Sequence, residues 1–256
     1  MGRCPTLCNL KAGLYDRLFL RHSPGMAKNK SIPELSAGLA KQLDESVNGH
    51  IGVDEAGRGC LAGPVCAAAL YAPADFDFAI FPGLTDSKKL SETRRDKLES
   101  LIKAAPELVW AIGLSWPEEI DRVNILNATF RAMSRALLGL KFKLGAYPVF
   151  IDGPHTIPLP QWQAARQALP PEPPRFFPVI KGDSLVPAIS AASILAKVQR
   201  DRLMRALARR YPQYSFEKHK GYGTREHMDA IASYGSSPLH RLSFGEQRGE
   251  EQLNLF

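Results

Sequence analysis

The chain has 256 residues, 45% of them hydrophobic and 23% charged, with 33 Lys+Arg against 26 Asp+Glu and a net charge of +7. This is ordinary soluble globular composition, enough for one large domain with extensions or two small ones. It excludes a helical membrane protein, because no apolar run approaches the ~20 residues a span needs. The first 30 residues lack the apolar stretch of a secretory signal. Cys4, Cys8, Cys60 and Cys66 form neither a disulfide framework nor a complete zinc ligand set, so a cytoplasmic, reducing setting is expected.

Residues 1–30 read as a tail, with six basic residues and one acid and no sustained period, and Met26 stands as a second candidate start. Residues 31–48 read as a short helix carrying Leu35, Leu39 and Leu43 at spacing four. Ile51 to Ala56 predicts a first strand, and Pro64 to Ala72 a second, rich in small and β-branched residues. Leu84 to Lys89 reads as a loop, after which Ser91 caps a helix over about 92–104. Leu108 to Trp116 predicts a third strand. Val123 to Leu140 reads as one helix whose core stripe is Leu126, Phe130, Met133, Leu137 and Leu140. Pro148 to Asp152 predicts a fourth strand, and a proline-rich loop leads to a fifth, Phe176 to Lys181. A long helix runs from Pro187 to about Arg210. Its start, Ile189 to Ala196, is dense in small residues and suits close approach to a sheet. A further helix begins near Thr224 and ends before Gly235. Three strands with tight connections, then two alternating with helices, predict an α/β fold: a mixed five-stranded sheet flanked by helices, with a helical C-terminal part.

Carboxylates stand where the apolar strands end. Asp54 and Glu55 close the first, Asp152 closes the fourth, and Asp183 follows the fifth. Strand ends in open α/β sheets usually hold the ligands. Four carboxylates brought together repel, and hard cations such as Mg²⁺ or Mn²⁺ relieve that with oxygen ligands alone. Turn residues and helix caps are the plainer reading of the same aspartates, and Asp152-Gly153 has the look of a turn. Strict alternation would send Asp54 and Glu55 to opposite faces, so both reach one site only if the strand twists or bulges. Gly57-Arg58-Gly59 follows at once, a glycine-flanked arginine able to bring bare backbone and a guanidinium to a phosphate. Lys197 to Arg225 holds nine basic residues and two acids, an excess as large as that of the whole chain. Such focusing suits a polyanion partner, and a solvated helix face suits it about equally well.

In order along the chain stand Val53-Asp-Glu-Ala-Gly-Arg-Gly59, Asp86-Ser-Lys-Lys-Leu90, Phe150-Ile-Asp-Gly153, Lys181-Gly-Asp183, Ile189-Ser-Ala-Ala-Ser-Ile-Leu-Ala-Lys197 and His219-Lys-Gly-Tyr-Gly-Thr224. This ordered set closely resembles bacterial ribonuclease HII, the type 2 ribonuclease H, from about residue 50 to 244. The resemblance implies a ribonuclease H-like mixed sheet with a C-terminal helical extension. It implies Asp54, Glu55, Asp152 and Asp183 as metal ligands and catalytic groups for two Mg²⁺ or Mn²⁺ ions. Such ions would supply an activated water for in-line attack and charge stabilisation at the leaving 3′-oxygen. The implied reaction is cleavage of RNA in an RNA–DNA hybrid, or on the 5′ side of a ribonucleotide embedded in duplex DNA, leaving a 3′-hydroxyl and a 5′-phosphate. Gly57, Arg58 and Gly59 would touch the 2′-hydroxyl and nearby phosphates, Tyr222 would pack on the sugar at the ribose–deoxyribose junction, and Lys88 and Lys197 would hold phosphates. A 2′-hydroxyl both donates and accepts hydrogen bonds, so glycine-flanked backbone groups can read it. His219 is expected to support the substrate loop rather than act as a base.

The expected organisation is an N-terminal extension over 1–45, partly disordered, a catalytic domain over 46–212, a C-terminal helical substrate-binding part over 213–245, and a flexible tail over 246–256, both ends lying outside the resemblance. That tail ends in Gln252-Leu-Asn-Leu-Phe256, which resembles the short peptides by which replication and repair proteins dock on the bacterial sliding clamp. Gln252, Leu253, Leu255 and Phe256 are its candidate partner-binding residues. A monomer with no membrane partner is expected. Two rivals stay open on the residues alone. A resolvase- or integrase-like nuclease of the same fold would share the acids and cut ribose-free duplex. A non-enzymatic hybrid-binding module would retain hybrid without strand scission.

Overall fold

A computed structural model describes residues 48–141, 144–165 and 173–246. The expected tail over 1–30, the helix over 31–48 (all but its last residue) and the clamp-type peptide at 252–256 lie outside these. The strands are β1 (His50–Ala56), β2 (Val65–Ala72), β3 (Val109–Ser115), β4 (Val149–Asp152) and β5 (Phe176–Val179). They form one sheet in the order β3-β2-β1-β4-β5. β1, β2 and β3 are antiparallel neighbours, while β4 runs parallel to β1 and β5 parallel to β4. The expected five-stranded mixed sheet is therefore present. The connection from β2 to β3 is not tight, however. It contains 3₁₀ turns at Phe78–Ile80 and Ser87–Lys89 and helix α1 (Glu92–Ala104), whose N-cap Ser91 accepts a hydrogen bond from the Arg94 backbone N–H.

The helix expected over Val123 to Leu140 is α3 (Ile125–Gly139), and a shorter helix that the sequence reading does not mark, α2 (Pro117–Val123), precedes it. They break at Asn124, whose φ of 67° no helix tolerates and whose side chain caps α3 by accepting from the Asn127 N–H. The proline-rich stretch also carries a short helix, α4 (Leu159–Gln163), which buries Trp162. After β5 come α5 (Gly182–Leu185), the long α6 (Pro187–Ala208), α7 (Phe216–His219), α8 (Arg225–Tyr234) and α9 (Ser243–Glu246).

Two faces of the sheet are covered. On one, Ile51, Val53, Val65, Ala67, Val149 and Ile151 meet the Phe130, Met133 and Leu137 stripe of α3 and Trp162 in the main core. Alternation turns Gly52, Asp54, Phe150 and Asp152 to the other face, where α6 lies. The approach there is close. A Cβ on Gly52 would stand 2.3 Å from the Ala188 carbonyl carbon, so only glycine lets the small-residue start of α6 rest on β1. A second, smaller core joins Met204 of α6 to Tyr214, Phe216, Ala230 and Leu239. Among the described residues no helix is long and apolar enough to cross a membrane.

Candidate active site

Parallel pairing of β1 with β4 puts Val53 opposite Ile151, so the next residue on each strand, Asp54 and Asp152, stands side by side on the α6 face. Asp183 arrives by a different route. Lys181 after β5 takes a left-handed conformation, φ 58°, and the turn it starts folds back so that the Asp183 N–H donates to Asp152 Oδ1 at 3.3 Å. One carboxylate oxygen from each of Asp54, Asp152 and Asp183 lies within 4.8 Å of the others.

Electrostatics register this crowding. Asp54 is buried, and burial together with the charges of Glu55 and Asp152 raises its carboxyl well above the ordinary range. Asp152 is raised by burial and by Glu55, against hydrogen bonds from the Asp183 and Gly182 backbone. Asp183 is pushed up to about 6 by burial, Asp152 and Asp86, with Lys88 pulling the other way. The chain thus holds anionic oxygens together at a cost, which is what an oxygen-liganding divalent cation would remove. The donor set, carboxylate oxygen without His or Cys, fits Mg²⁺ or Mn²⁺.

Glu55 is placed differently. β1 shows no bulge there, for its pairing with β2 stays regular through Asp54, Glu55 and Ala56. Glu55 lies outside the 4.8 Å group, accepts a hydrogen bond from Arg58 Nη1 at 3.3 Å, and acts on Asp54 and Asp152 as a nearby like charge.

Of the remaining sequence-predicted residues, Lys88 lies beside the acids, while Lys197, Tyr222 and His219 contact other groups. Lys88 stands near enough to stabilise the Asp152 and Asp183 carboxylates. Its neighbour Lys89 donates to Ser184 at 3.3 Å. Lys197 donates to Asp201 at 2.8 Å, with its ammonium 5.8 Å from the centre of the Tyr222 ring. Tyr222 is 42% exposed, although burial of its hydroxyl end, with Cys60 beside it, pushes the phenol up to about 12. His219 accepts the Gly221 N–H at Nδ1, as expected of a loop support.

The basic stretch over 197–225 is only partly a free basic face. Arg200 is 1% exposed, Arg202 forks onto Glu99 at 2.8 and 2.9 Å, and Arg205 pairs with Glu92. Acids of α1 absorb the charge of Arg202 and Arg205, Lys218 pairs with Glu226 at 2.7 Å and Arg225 with Asp229 at 3.9 Å, and Arg209 and Arg210 are exposed.

Three residues that sequence reasoning misses hold the site together. Ser193 of α6 donates its hydroxyl to Asp54 and accepts from the Ser87 hydroxyl at 2.8 Å, tying the Lys88 turn to the acids. Arg200 donates to the carbonyls of Pro64 (3.0 Å), Ala62 (3.1 Å) and Lys220 (2.8 Å). Arg241, also buried, donates to Gly57 and Arg58 (both 2.7 Å) and to Gly63. Gly57 itself has φ 92°, and a Cβ there would fall 1.9 Å from Arg200 Nε. A signal for Arg200 exists: it continues the four-residue spacing of Ala196, Met204 and Ala208, the buried stripe of α6.

The five-stranded mixed sheet superposes on ribonucleases of known structure. The ribonuclease H2 of Pyrococcus horikoshii superposes with a TM-score of 0.58 at 26% identity, over 76% of this chain and 93% of that one. The RNase HII of Archaeoglobus fulgidus, solved in complex with PCNA, gives 0.59 at 26% identity over 76% and 94%. The family model for ribonuclease HII matches residues 51–247. A ribonuclease HII from Nitratidesulfovibrio vulgaris is 51% identical over 209 residues, 80% of this chain and 91% of that protein. The chain belongs to the ribonuclease HII family, metal-dependent endoribonucleases.

Proposed function

We propose that this chain cleaves the RNA strand of RNA–DNA hybrids and cuts on the 5′ side of single ribonucleotides embedded in duplex DNA, leaving a 3′-hydroxyl and a 5′-phosphate. Removal of misincorporated ribonucleotides and RNA primers is the corresponding role. The observation that carries the reading is the meeting of Asp54, Asp152 and Asp183 within 4.8 Å, with Asp54 three residues before Gly57 at the end of β1, whose following loop donates from the Leu61 N–H to the Gly221 carbonyl.

Asp54, Glu55, Asp152 and Asp183 would hold Mg²⁺ or Mn²⁺. Two such ions, when bound, supply a nucleophilic water and charge stabilisation at the leaving oxygen. The protein's own groups do the selecting. Backbone of Gly57-Arg58-Gly59, locked by Arg241, meets the 2′-hydroxyl, and the exposed Arg58 meets a phosphate. The accessible face of Tyr222 packs on the sugar that follows. Lys88 and Lys197 bind flanking phosphates; Lys197 spends one of its three donors on Asp201.

The complex of the Archaeoglobus relative with PCNA supports a sliding clamp as partner here too, with Gln252, Leu253, Leu255 and Phe256 as the docking peptide. Free, buried Cys60 and Cys66 suit a reducing cytoplasm.

Asp54→Asn and Asp152→Asn should each abolish cleavage with the fold intact by circular dichroism. Near-wild-type turnover in either would remove the metal-site assignment. Tyr222→Ala should weaken cleavage at a single ribonucleotide by ~1–3 kcal/mol, the worth of an aromatic contact to a nucleotide. An equal loss of binding to all-DNA duplex would refute its role at the junction.

A further inference from the structure

The segment Ser237 to Arg241, between α8 and α9, touches both loops assigned to ribose recognition. Toward one it sends Arg241, whose guanidinium holds the Gly57 and Arg58 carbonyls at 2.7 Å. Toward the other it sends a chain of imidazoles whose protons are fixed by their neighbours.

The Ser237 backbone N–H donates to His240 Nδ1 at 2.8 Å, and the Ser237 hydroxyl, which accepts the Leu239 N–H, stands 2.9 Å from the same atom as a second donor, so that nitrogen carries no proton. A neutral imidazole has one donor and one acceptor nitrogen, which places the His240 proton on Nε2. That atom lies 3.1 Å from His227 Nε2, which therefore accepts and leaves the His227 proton on Nδ1. Nδ1 stands 2.9 Å from the carbonyl oxygen of Tyr222 and donates to it. One backbone N–H thus sets two successive tautomers and ends on the main chain of Tyr222.

Both rings must be neutral for this chain to exist, since a second proton would set two N–H groups against each other across 3.1 Å. Their surroundings favour neutrality. His227 and His240 are 0% and 5% exposed, and burial pushes His227 down to about 4 and His240 below its ordinary range. His219 stacks on His227, centroids 4.4 Å apart, and clamps the same loop by accepting the Gly221 N–H and donating from Nε2 to the Tyr214 carbonyl at 2.7 Å. Apolar packing alone would need none of this order in the protons.

We propose that His227 and His240 are positioning residues: a neutral imidazole relay anchored on Ser237 that fixes the Tyr222 ring relative to the Gly57–Gly59 loop held by Arg241. This rests on the reading of Tyr222 as the ring that meets the sugar. The relay never touches substrate. It matters most where a ribose is followed by a deoxyribose, because only there does the position of the Tyr222 ring decide cleavage.

Two measurements test it on the full chain. Long-range ¹H–¹⁵N NMR of the labelled wild type at neutral pH reads the tautomers directly. The relay requires Nδ1–H at His227 and Nε2–H at His240. The opposite tautomer at His227, or a charged ring at either residue, overturns it, and this readout needs no variant to fold. The second measurement is the ratio of kcat/KM at a single embedded ribonucleotide to kcat/KM on a long hybrid. His227→Phe should lower that ratio by about tenfold, the effect of one lost buried hydrogen bond. His227→Asn, whose amide N–H can still reach the Tyr222 carbonyl, should stay within about threefold of wild type. Parallel loss on both substrates, or identical behaviour of the two variants, means packing only and refutes the relay. Tyr222→Ala is the control: an unchanged ratio there sinks the ribose reading, and the proposal with it. A fallen ratio in Tyr222→Ala beside an unchanged one in His227→Phe sinks the relay alone.

Discussion

Replacing Asp183 with asparagine should stabilise the metal-free protein while it abolishes cleavage. The Asp183 carboxyl is pushed up to about 6 by burial, Asp152 and Asp86. A rise of about two units corresponds to roughly 3 kcal/mol of unfavourable charge at neutral pH. Asp183 is only partly buried, so screening reduces this to about 1 kcal/mol. Coulomb's law sets the same scale. Two like charges at the 4.8 Å limit of the cluster repel by roughly 3.5 kcal/mol at an effective dielectric of 20, before solvent relaxes.

The sign follows from the direction of the shift. A carboxyl raised in the folded state holds its proton more tightly there than in the unfolded chain. The wild type is therefore unpenalised below about pH 4 and increasingly penalised as pH rises through about 6. Asparagine has no charge to lose and keeps the main-chain N–H that bonds Asp152. In EDTA at pH 7.5, calorimetry should show Asp183→Asn melting about 2–4 °C above the wild type. The gap should close near pH 4. Added Mg²⁺ should raise the wild-type midpoint with concentration and raise that of Asp183→Asn much less. A variant that melts below the wild type in EDTA at pH 7.5, or a gap that is the same at pH 4 and 7.5, would refute the crowded-charge account.

Gly57→Ala should destabilise the fold by about 2–4 kcal/mol in urea melts, because its Cβ would meet a guanidinium pinned by three carbonyls at a backbone φ of 92°. A loss under about 0.5 kcal/mol would mean that Arg200 is free to move. Deleting residues 252–256 should leave cleavage of free duplex unchanged and remove pull-down by the sliding clamp. Retained pull-down would contradict the docking role of Leu253, Leu255 and Phe256.

The strand-end aspartates are legible in the sequence because each ends a run whose apolar character marks a buried strand: Ile51-Gly-Val53, Val149-Phe-Ile151 and Phe177-Pro-Val-Ile180. Strand pairing then does what no local pattern states. It sets Val53 opposite Ile151, and with them Asp54 beside Asp152. The sequence is blind where one residue overrides its context. Asn124, at a positive φ, ends a short helix that the sequence pattern does not mark and sets the start of α3 just after it. Arg241 looks like surface charge, and Arg200 does too except for its place on the buried stripe of α6; both are buried because six loop carbonyls need donors that the strands cannot supply. The acids of α1 that neutralise Arg202 and Arg205 lie about a hundred residues earlier in the chain, so the basic window overstates the free positive face. The imidazole relay is invisible for the same reason. His227 and His240 fall on different segments, and only tertiary packing brings their Nε2 atoms together.

The most direct test of the account is cleavage of a DNA duplex carrying one ribonucleotide, compared with its all-DNA twin, with and without Mg²⁺. A single cut on the 5′ side of the ribonucleotide, requiring the ion and absent from the twin and from Asp54→Asn, is the result expected of a carboxylate metal site that reads one 2′-hydroxyl. Equal cutting of the twin, or cutting that persists in EDTA, would contradict it.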